Sequence, residues 1–248
     1  MKRILLVSIL SFIFIGISSA QTVDEILAEF YKANGQDKLL ETNTFTTKGK
    51  IIQGQFEIPF TSYHKRPMKF KSEAEFQGMK IVSAFDGETG WSINPMMGSN
   101  DPQPMTAEQI DRMKIQADYD GMFYNYKDKG YKVEYMGKEP VDDIETYKLQ
   151  LTRPNGDIIT AYLDAENYVI LKTDSKMKIQ DVDREAETIF SNYKYVDGIL
   201  VPFSIETKMD GKTVMQMALE DVKYNVDLPD SIFEMPEVTA PADSTEVK

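Results

Sequence analysis

Gln55-Phe56-Glu57-Ile58-Pro59-Phe60 alternates polar and apolar residues with a period of two. That spacing puts every second side chain on the same face of a β-strand. From Thr44 onward the same signal returns at Met68–Glu75, Met79–Phe85, Thr146–Thr152, Ile158–Leu163, Tyr168–Thr173, Thr188–Tyr195, Ile199–Lys208 and Thr213–Glu220. Pro154-Asn155-Gly156, Asp197-Gly198 and Asp210-Gly211 punctuate these runs as tight turns. Strands joined by short turns form an antiparallel meander, not a parallel βαβ sheet. With one apolar and one polar face per strand, the expected fold class is mainly β, a single strongly curved sheet accompanied by helices.

Two helices are expected. Thr22 and Glu25 form a capping box, Val23, Ile26, Leu27, Phe30 and Tyr31 share one face, and Asn34-Gly35 supplies a stop. This predicts a helix over Thr22–Tyr31 docked on the sheet. A second box, Thr106 with Gln109, precedes Ile110, Met113 and Ala117 on one face of a short mid-chain helix. Just before it, the stretch Pro95–Pro102 carries Met96 and Met97 and reads as irregular.

The ends read differently. Lys2 and Arg3, the apolar run Ile4–Ile17, and Ser18 and Ala20 make residues 1–20 a signal peptide cleaved after Ala20. The run is shorter than the roughly 20 residues a membrane span needs. Residues 21–236 are expected to form a single domain, and 237–248, rich in Pro, Thr, Ala, Ser and charge, a flexible tail. An exported, periplasmic chain is implied.

Composition excludes several functions. The 248 residues are 42% hydrophobic and 27% charged, enough for a packed core. Lys and Arg number 28 against 40 Asp and Glu, a net charge of -12 without a basic stripe, which argues against nucleic acid. There is no cysteine and one histidine, His64. Thiolate chemistry, disulfides, cysteine lipidation and Cys-type zinc sites are therefore excluded. No Gly-x-Ser-x-Gly elbow, phosphate-cradling glycine loop or dinucleotide fingerprint occurs, so neither an enzyme nor a cofactor or metal is expected. The acidic groups Asp142-Asp143-Glu145 and Asp181–Glu187 lack EF-hand spacing and read as solvated hairpins. A carboxylate pair that meets only in space has nothing in the sequence to single it out.

Apolar side chains are the more informative feature. There are 13 Phe, 13 Tyr and 14 Met, and flexible methionines either line an adaptable pocket or fill gaps in an ordinary core. In Tyr63-His64-Lys65-Arg66-Pro67-Met68-Lys69-Phe70-Lys71, strand parity puts Arg66 with Met68 and Phe70, and the lysines on the other face toward water. A guanidinium on an apolar face needs partners, and carbonyls at a helix end would serve. On the residues alone, an arginine snorkelling to solvent beside Pro67 is the simpler reading.

Two phrases carry a resemblance. Lys65-Arg66-Pro67-Met68-Lys69-Phe70 is followed by Asp86-Gly87-Glu88-Thr89-Gly90-Trp91-Ser92-Ile93-Asn94-Pro95. In order and spacing these resemble the LolA-type periplasmic lipoprotein carriers and the wider outer-membrane lipoprotein-sorting proteins, over about Thr44 to Asn100. The stretch Asn100–Asp128 and the acidic C-terminal half do not match closely. The resemblance implies an incomplete antiparallel β-barrel, closed on one side by the N-terminal and mid-chain helices as a lid over a hydrophobic cavity. It further implies acylated lipoproteins or lipids as cargo, taken from an inner-membrane release complex to an outer-membrane acceptor. An envelope protein that binds lipid or senses lipoproteins without transfer would keep the same phrases. Arg66 falls at the family's lid arginine, which bonds helix carbonyls in the closed state. The candidate cavity residues are Phe56, Phe60, Met68, Phe70, Trp91, Ile93, Met96, Met97, Ile110 and Met113.

Overall fold

A computed structural model describes residues 21–179 and 182–237. The expected signal peptide 1–20, and the tail beyond residue 237, lie outside the described residues. Three helices are described: α1 (Val23–Asn34), α2 (Gln36–Leu40) and α3 (Ala107–Gln116). The strands are β1 (Thr44–Gln53), β2 (Phe56–Lys65), β3 (Lys69–Phe76), β4 (Met79–Phe85), β5 (Gly90–Asn94), β6 (Ser99–Pro104), β7 (Lys132–Val141), β8 (Ile144–Thr152), β9 (Ile158–Asp164), β10 (Ile170–Ile179), β11 (Val182–Val196), β12 (Ile199–Met209) and β13 (Lys212–Tyr224).

Among the described residues these thirteen strands form one antiparallel sheet in the order β6-β5-β4-β3-β2-β1-β13-β12-β11-β10-β9-β8-β7. It is a curved sheet, not a closed barrel. The first and last strands of the chain, β1 and β13, pair in its middle. Its two edges, β6 and β7, are therefore consecutive in sequence, and the segment joining them, which contains α3, has to pass from one edge of the sheet to the other.

Local chemistry accounts for the elements. Thr22 caps α1 and reciprocates with Glu25, Thr106 caps α3 and reciprocates with Gln109, and Gly35 ends α1 in the left-handed region at φ 72°. Gly35 is required for a second reason: a β-carbon there would lie 2.2 Å from the carbonyl oxygen of Gly198 in the β11–β12 turn. Asp197-Gly198, Asp210-Gly211 and Asp142-Asp143 are two-residue hairpin loops with both residues at positive φ, the geometry that suits strand twist.

Several boundaries differ from the sequence reading. The stretch after Pro95 is a 3-10 turn, Pro95–Met97, followed by a strand, β6, because Ser99–Pro104 finds hydrogen-bonding partners on β5. The periodicity gave no sign of β7 or of the one-turn helix α2. Met68 lies in the β2–β3 turn, so strand parity does not run through Arg66. Lys65 and Lys69 reach the outer face but do not point freely into water. They bind the Asp230 carboxylate at 2.8 and 3.1 Å, under the C-terminal segment.

The concave face carries two apolar clusters. In one, Ile26 and Leu27 of α1 and Phe123 of the α3–β7 connection pack on Leu149, Leu151, Ala161 and Leu163. In the other, Met113 and Ala117 of α3 pack on Phe70 and Phe85, with Met105 and Ile110 beside them. Gly35→Ala is expected to lower stability by at least about 1–2 kcal/mol through its φ alone, with more from the Gly198 clash. Gly54→Ala (φ 62°) has open space around its β-carbon and should cost less. Urea unfolding of both variants measures the difference.

Candidate functional site

Arg66 follows β2 in the turn to β3, and its side chain is the meeting point of the two lid segments. Nε donates to Thr42 O at 2.7 Å and Nη2 to Leu39 O at 3.1 Å, carbonyls at and just beyond the C-terminal end of α2. These are groups that a helix terminus leaves without intrahelical partners. Nη1 and Nη2 donate to the two Asp120 oxygens at 2.8 and 2.6 Å, a bidentate pair. Asp120 lies in the connection after α3. The guanidinium also covers the Tyr119 ring, its carbon 4.2 Å from the centroid. Tyr119 and Thr42 hydroxyls share a 2.7 Å hydrogen bond. Both members of the ion pair are mostly buried, 23% and 21% exposed. The hydrogen bonds it donates to the Asp120 carboxylate raise the Arg66 pKa above its ordinary value.

Beneath this clasp lies His64, stacked on Phe45 at 4.0 Å and edge-on to Phe70 at 4.7 Å. Its Nδ1 has no hydrogen-bond partner, and burial pushes its pKa down to about 3. The imidazole, partly buried between Phe45 and Phe70, is thus held in its neutral form.

Beyond α3 the concave face is open. A cleft of about 480 Å³ lies between the outward ridge of α3 and β9–β11, lined by Ile115, Met122, Arg153, Ile159, Met177 and Phe190 among others. A neighbouring cleft of about 400 Å³ shares Ile115 and Arg153 and is bounded by Met68 and Tyr131. From Phe190 an apolar row continues laterally through cross-strand neighbours Ile205, Met217, Ile51 and Ile58. All five are only partly buried. Five adjacent strands at ~4.8 Å spacing make this row about 19 Å long.

Neither a scan against protein-family models nor a search of curated proteins finds a match to this sequence. Solved structures do match. A DUF1329 family protein of Desulfovibrio piger superposes with TM-score 0.59 at 16% identity, covering 84% of this chain and 97% of that one. A LolA superfamily protein of Nitrosomonas europaea gives 0.57 at 17% identity, covering 87% and 98%. A Vibrio parahaemolyticus domain named for outer-membrane lipoprotein sorting gives 0.55 at 11%, covering 84% and 94%. The chain has a LolA-like fold.

Within this LolA-like fold the sequence-predicted residues separate into groups. Phe70, Ile110 and Met113 meet between α3 and the sheet. Phe60 is buried on the concave side against Gly49, and Met68 borders the smaller cleft. Phe56 lies near the strand tips, 43% exposed and edge-on to Phe76, while Met96 and Met97 are 62% and 82% exposed on their turn. Trp91 and Ile93 lie on the opposite, convex face, because Trp91 pairs with Ala84 and Ile93 with Val82, one residue out of phase with Phe85. There Trp91 Nε1 donates to Phe233 O at 2.9 Å and fixes the C-terminal segment. The second phrase is otherwise a turn signature: the Asp86 carboxylate accepts from Glu88 N and Thr89 N, and Gly90 leaves room for Met105.

Asp120, Tyr119, Arg153, Met177 and Phe190 were not singled out by the sequence. They become neighbours of the site only through contacts distant along the chain, and no local pattern marks them. Among the described residues no cluster of three or more His, Asp or Glu is placed to hold a metal, and no helix is long and apolar enough to cross a membrane.

His64 gives this arrangement a pH signature. Its folded pKa of about 3 lies below the unfolded value near 6.5, so the unfolded chain takes up the proton first. The stabilisation is complete above pH 6.5 and is lost as pH falls toward 3, about 2 kcal/mol of it by pH 5. Urea unfolding at pH 7.5 and pH 5 should show this loss, and His64→Phe should remove that share of it.

Proposed function

We propose that this protein is a non-enzymatic periplasmic carrier that holds the acyl chains of lipoproteins on its concave face. It would receive them from an inner-membrane release complex and deliver them to an outer-membrane acceptor. The observation that carries this reading is the Arg66 clasp: one guanidinium holds the Leu39 carbonyl of α2, the Thr42 carbonyl just beyond it and Asp120 together over an apolar concave surface. A clasp of hydrogen bonds can open as a unit, which a continuous apolar seal cannot do without exposing its own surface.

Energetics supply the reason for a lid. Burying acyl chains contributes about 0.8 kcal/mol per CH₂. A long chain alone would then bind with on the order of 10 kcal/mol, too tightly for a carrier that has to let go. Charge-assisted hydrogen bonds contribute roughly 1.5–3 kcal/mol each. Closing the empty site with several of them offsets part of the acyl term, because cargo can enter only by displacing the lid.

Two measurements test the reading. Native mass spectrometry of protein purified gently from its host's periplasm should reveal an adduct with the mass of an acylated lipoprotein. A free lipid instead would turn the function to lipid binding or sensing without cargo transfer, and a bare protein that ignores added acyl probes would sink it. Second, Arg66→Leu should take up a fluorescent acyl probe normally and pass it to acceptor vesicles about tenfold more slowly, since the empty closed state loses its hydrogen bonds. Arg66→Leu/Asp120→Leu, which leaves no unpaired buried carboxylate, should behave alike. Transfer at the wild-type rate in both would remove the gating role.

A further inference from the structure

Four cations border the two clefts beside α3, and three are fully engaged. Arg112 pairs with Glu108 at 2.7 Å, Lys114 with Asp111 at 3.0 Å, and Lys129 with Asp118 at 2.7 Å. Lys129 also donates to Gly121 O at 2.8 Å. Arg153 is different. It follows β8 directly in the turn into β9, with its side chain only 11% exposed. Its nearest carboxylate, Asp157, is 4.0 Å away, beyond hydrogen-bond distance. Asp157 is itself engaged by the Asn155 amide at 2.9 Å. Arg153 Nε is buried without any hydrogen-bond partner, and the nearest aromatic, Tyr131, has its ring centre 5.9 Å from the guanidinium carbon.

A guanidinium cannot shed its proton to escape burial. With its Nε buried and bare and its one ion pair held at 4.0 Å, it carries a desolvation cost that an incoming oxyanion would relieve. In the larger cleft the apolar Ile115, Met122, Ile159, Met177 and Phe190 form one side, and the carboxylates of Glu108, Asp111 and Asp157 lie at its border. Glu108 is taken up by Arg112, Asp111 by Lys114 and Asp157 by Asn155, and Phe190 begins the apolar row toward Ile58. A planar fork of donors at one end and a long apolar track from the other form a site with two chemistries. The cleft's volume of about 480 Å³ is that of a small-molecule site.

We propose that Arg153 is the head-group receptor for an anionic single-chain amphiphile, a long-chain carboxylate or phosphate monoester whose tail lies along the concave apolar row. The proposal rests on the acyl-binding reading above and adds a head-group specificity to it. It does not depend on transfer between membranes. Carboxylate and phosphate both match the guanidinium fork in bidentate fashion, and the choice between them is left to the measurement.

The test is titration calorimetry of the full mature chain with three probes of equal tail length: dodecanoate, dodecyl phosphate and uncharged 1-monododecanoylglycerol. Dodecanoate or dodecyl phosphate should bind about tenfold or more tightly than the neutral glyceride, and the tighter of the two identifies the head. In Arg153→Gln that preference should vanish while glyceride affinity stays at the wild-type value, which also reports an intact fold. Arg153→Lys should keep part of the preference as a point charge without the fork. Equal affinity for charged and neutral probes, or a preference that survives Arg153→Gln, would overturn the proposal and leave acyl binding standing. No binding of any probe would overturn both.

Discussion

The pairing of β1 with β13 is the constraint from which the rest follows. Joining the first and last strands in the middle of the sheet leaves β6 and β7 as its edges. The chain between those edges then has to cross the open side, carrying α3 with it. Once there, its apolar ridge of Met113 and Ala117 finds Phe70 and Phe85, and Phe123 further on joins Ile26 and Leu27 of α1. The lid is thus a topological consequence, and what remains to be specified is how firmly it closes. Arg66 does that, in the turn where β2 gives way to β3, joining α2 to the connection after α3.

Arg66 and Arg153 show how environment decides what one residue type can do. Both are largely withdrawn from water beside the concave face. Arg66 meets two carbonyls, a bidentate carboxylate and an aromatic ring, so its burial is compensated inside the protein and its energy goes into closing the lid. Arg153 meets one carboxylate at 4.0 Å and leaves Nε bare. A compensated charge holds structure together, and an uncompensated one beside a cleft is available to a ligand.

How far the sequence could be read follows from the range of each signal. Capping boxes at Thr22 and Thr106 act over three residues, and both helix starts were legible. Period-two runs and Asp-Gly turns act over about ten, so most of the meander was legible as well. β6 and β7 were not, since edge strands bury less and carry weaker alternation: Ser99–Pro104 holds two prolines, and β7 breaks register between Tyr135 and Lys138. At the site, the residues alone favoured an Arg66 that snorkels to solvent; its helix-end carbonyls were expected only from the family resemblance, and its carboxylate partner, 54 residues away, was not legible at all. The parity argument placed Trp91 with no face at all, and only the register against Ala84 assigns it to the convex side.

That assignment bears on what a family phrase can mean. Asp86, Gly87 and Gly90 shape the β4–β5 turn and admit Met105, and Trp91 anchors Phe233 on the face away from the clefts. Each of these roles builds the half-barrel: Gly90 admits a residue of the cluster under α3, and none of them lines the two clefts. A phrase with structural duties persists wherever the fold persists, whatever the fold carries. The clefts on the concave face are lined instead by side chains such as Arg153, Met177 and Phe190, whose neighbours are set by the curvature of the sheet. Two LolA-like proteins can therefore share the turn and the tryptophan and still differ in the charges that border the concave clefts, which is where a difference in ligand would have to arise.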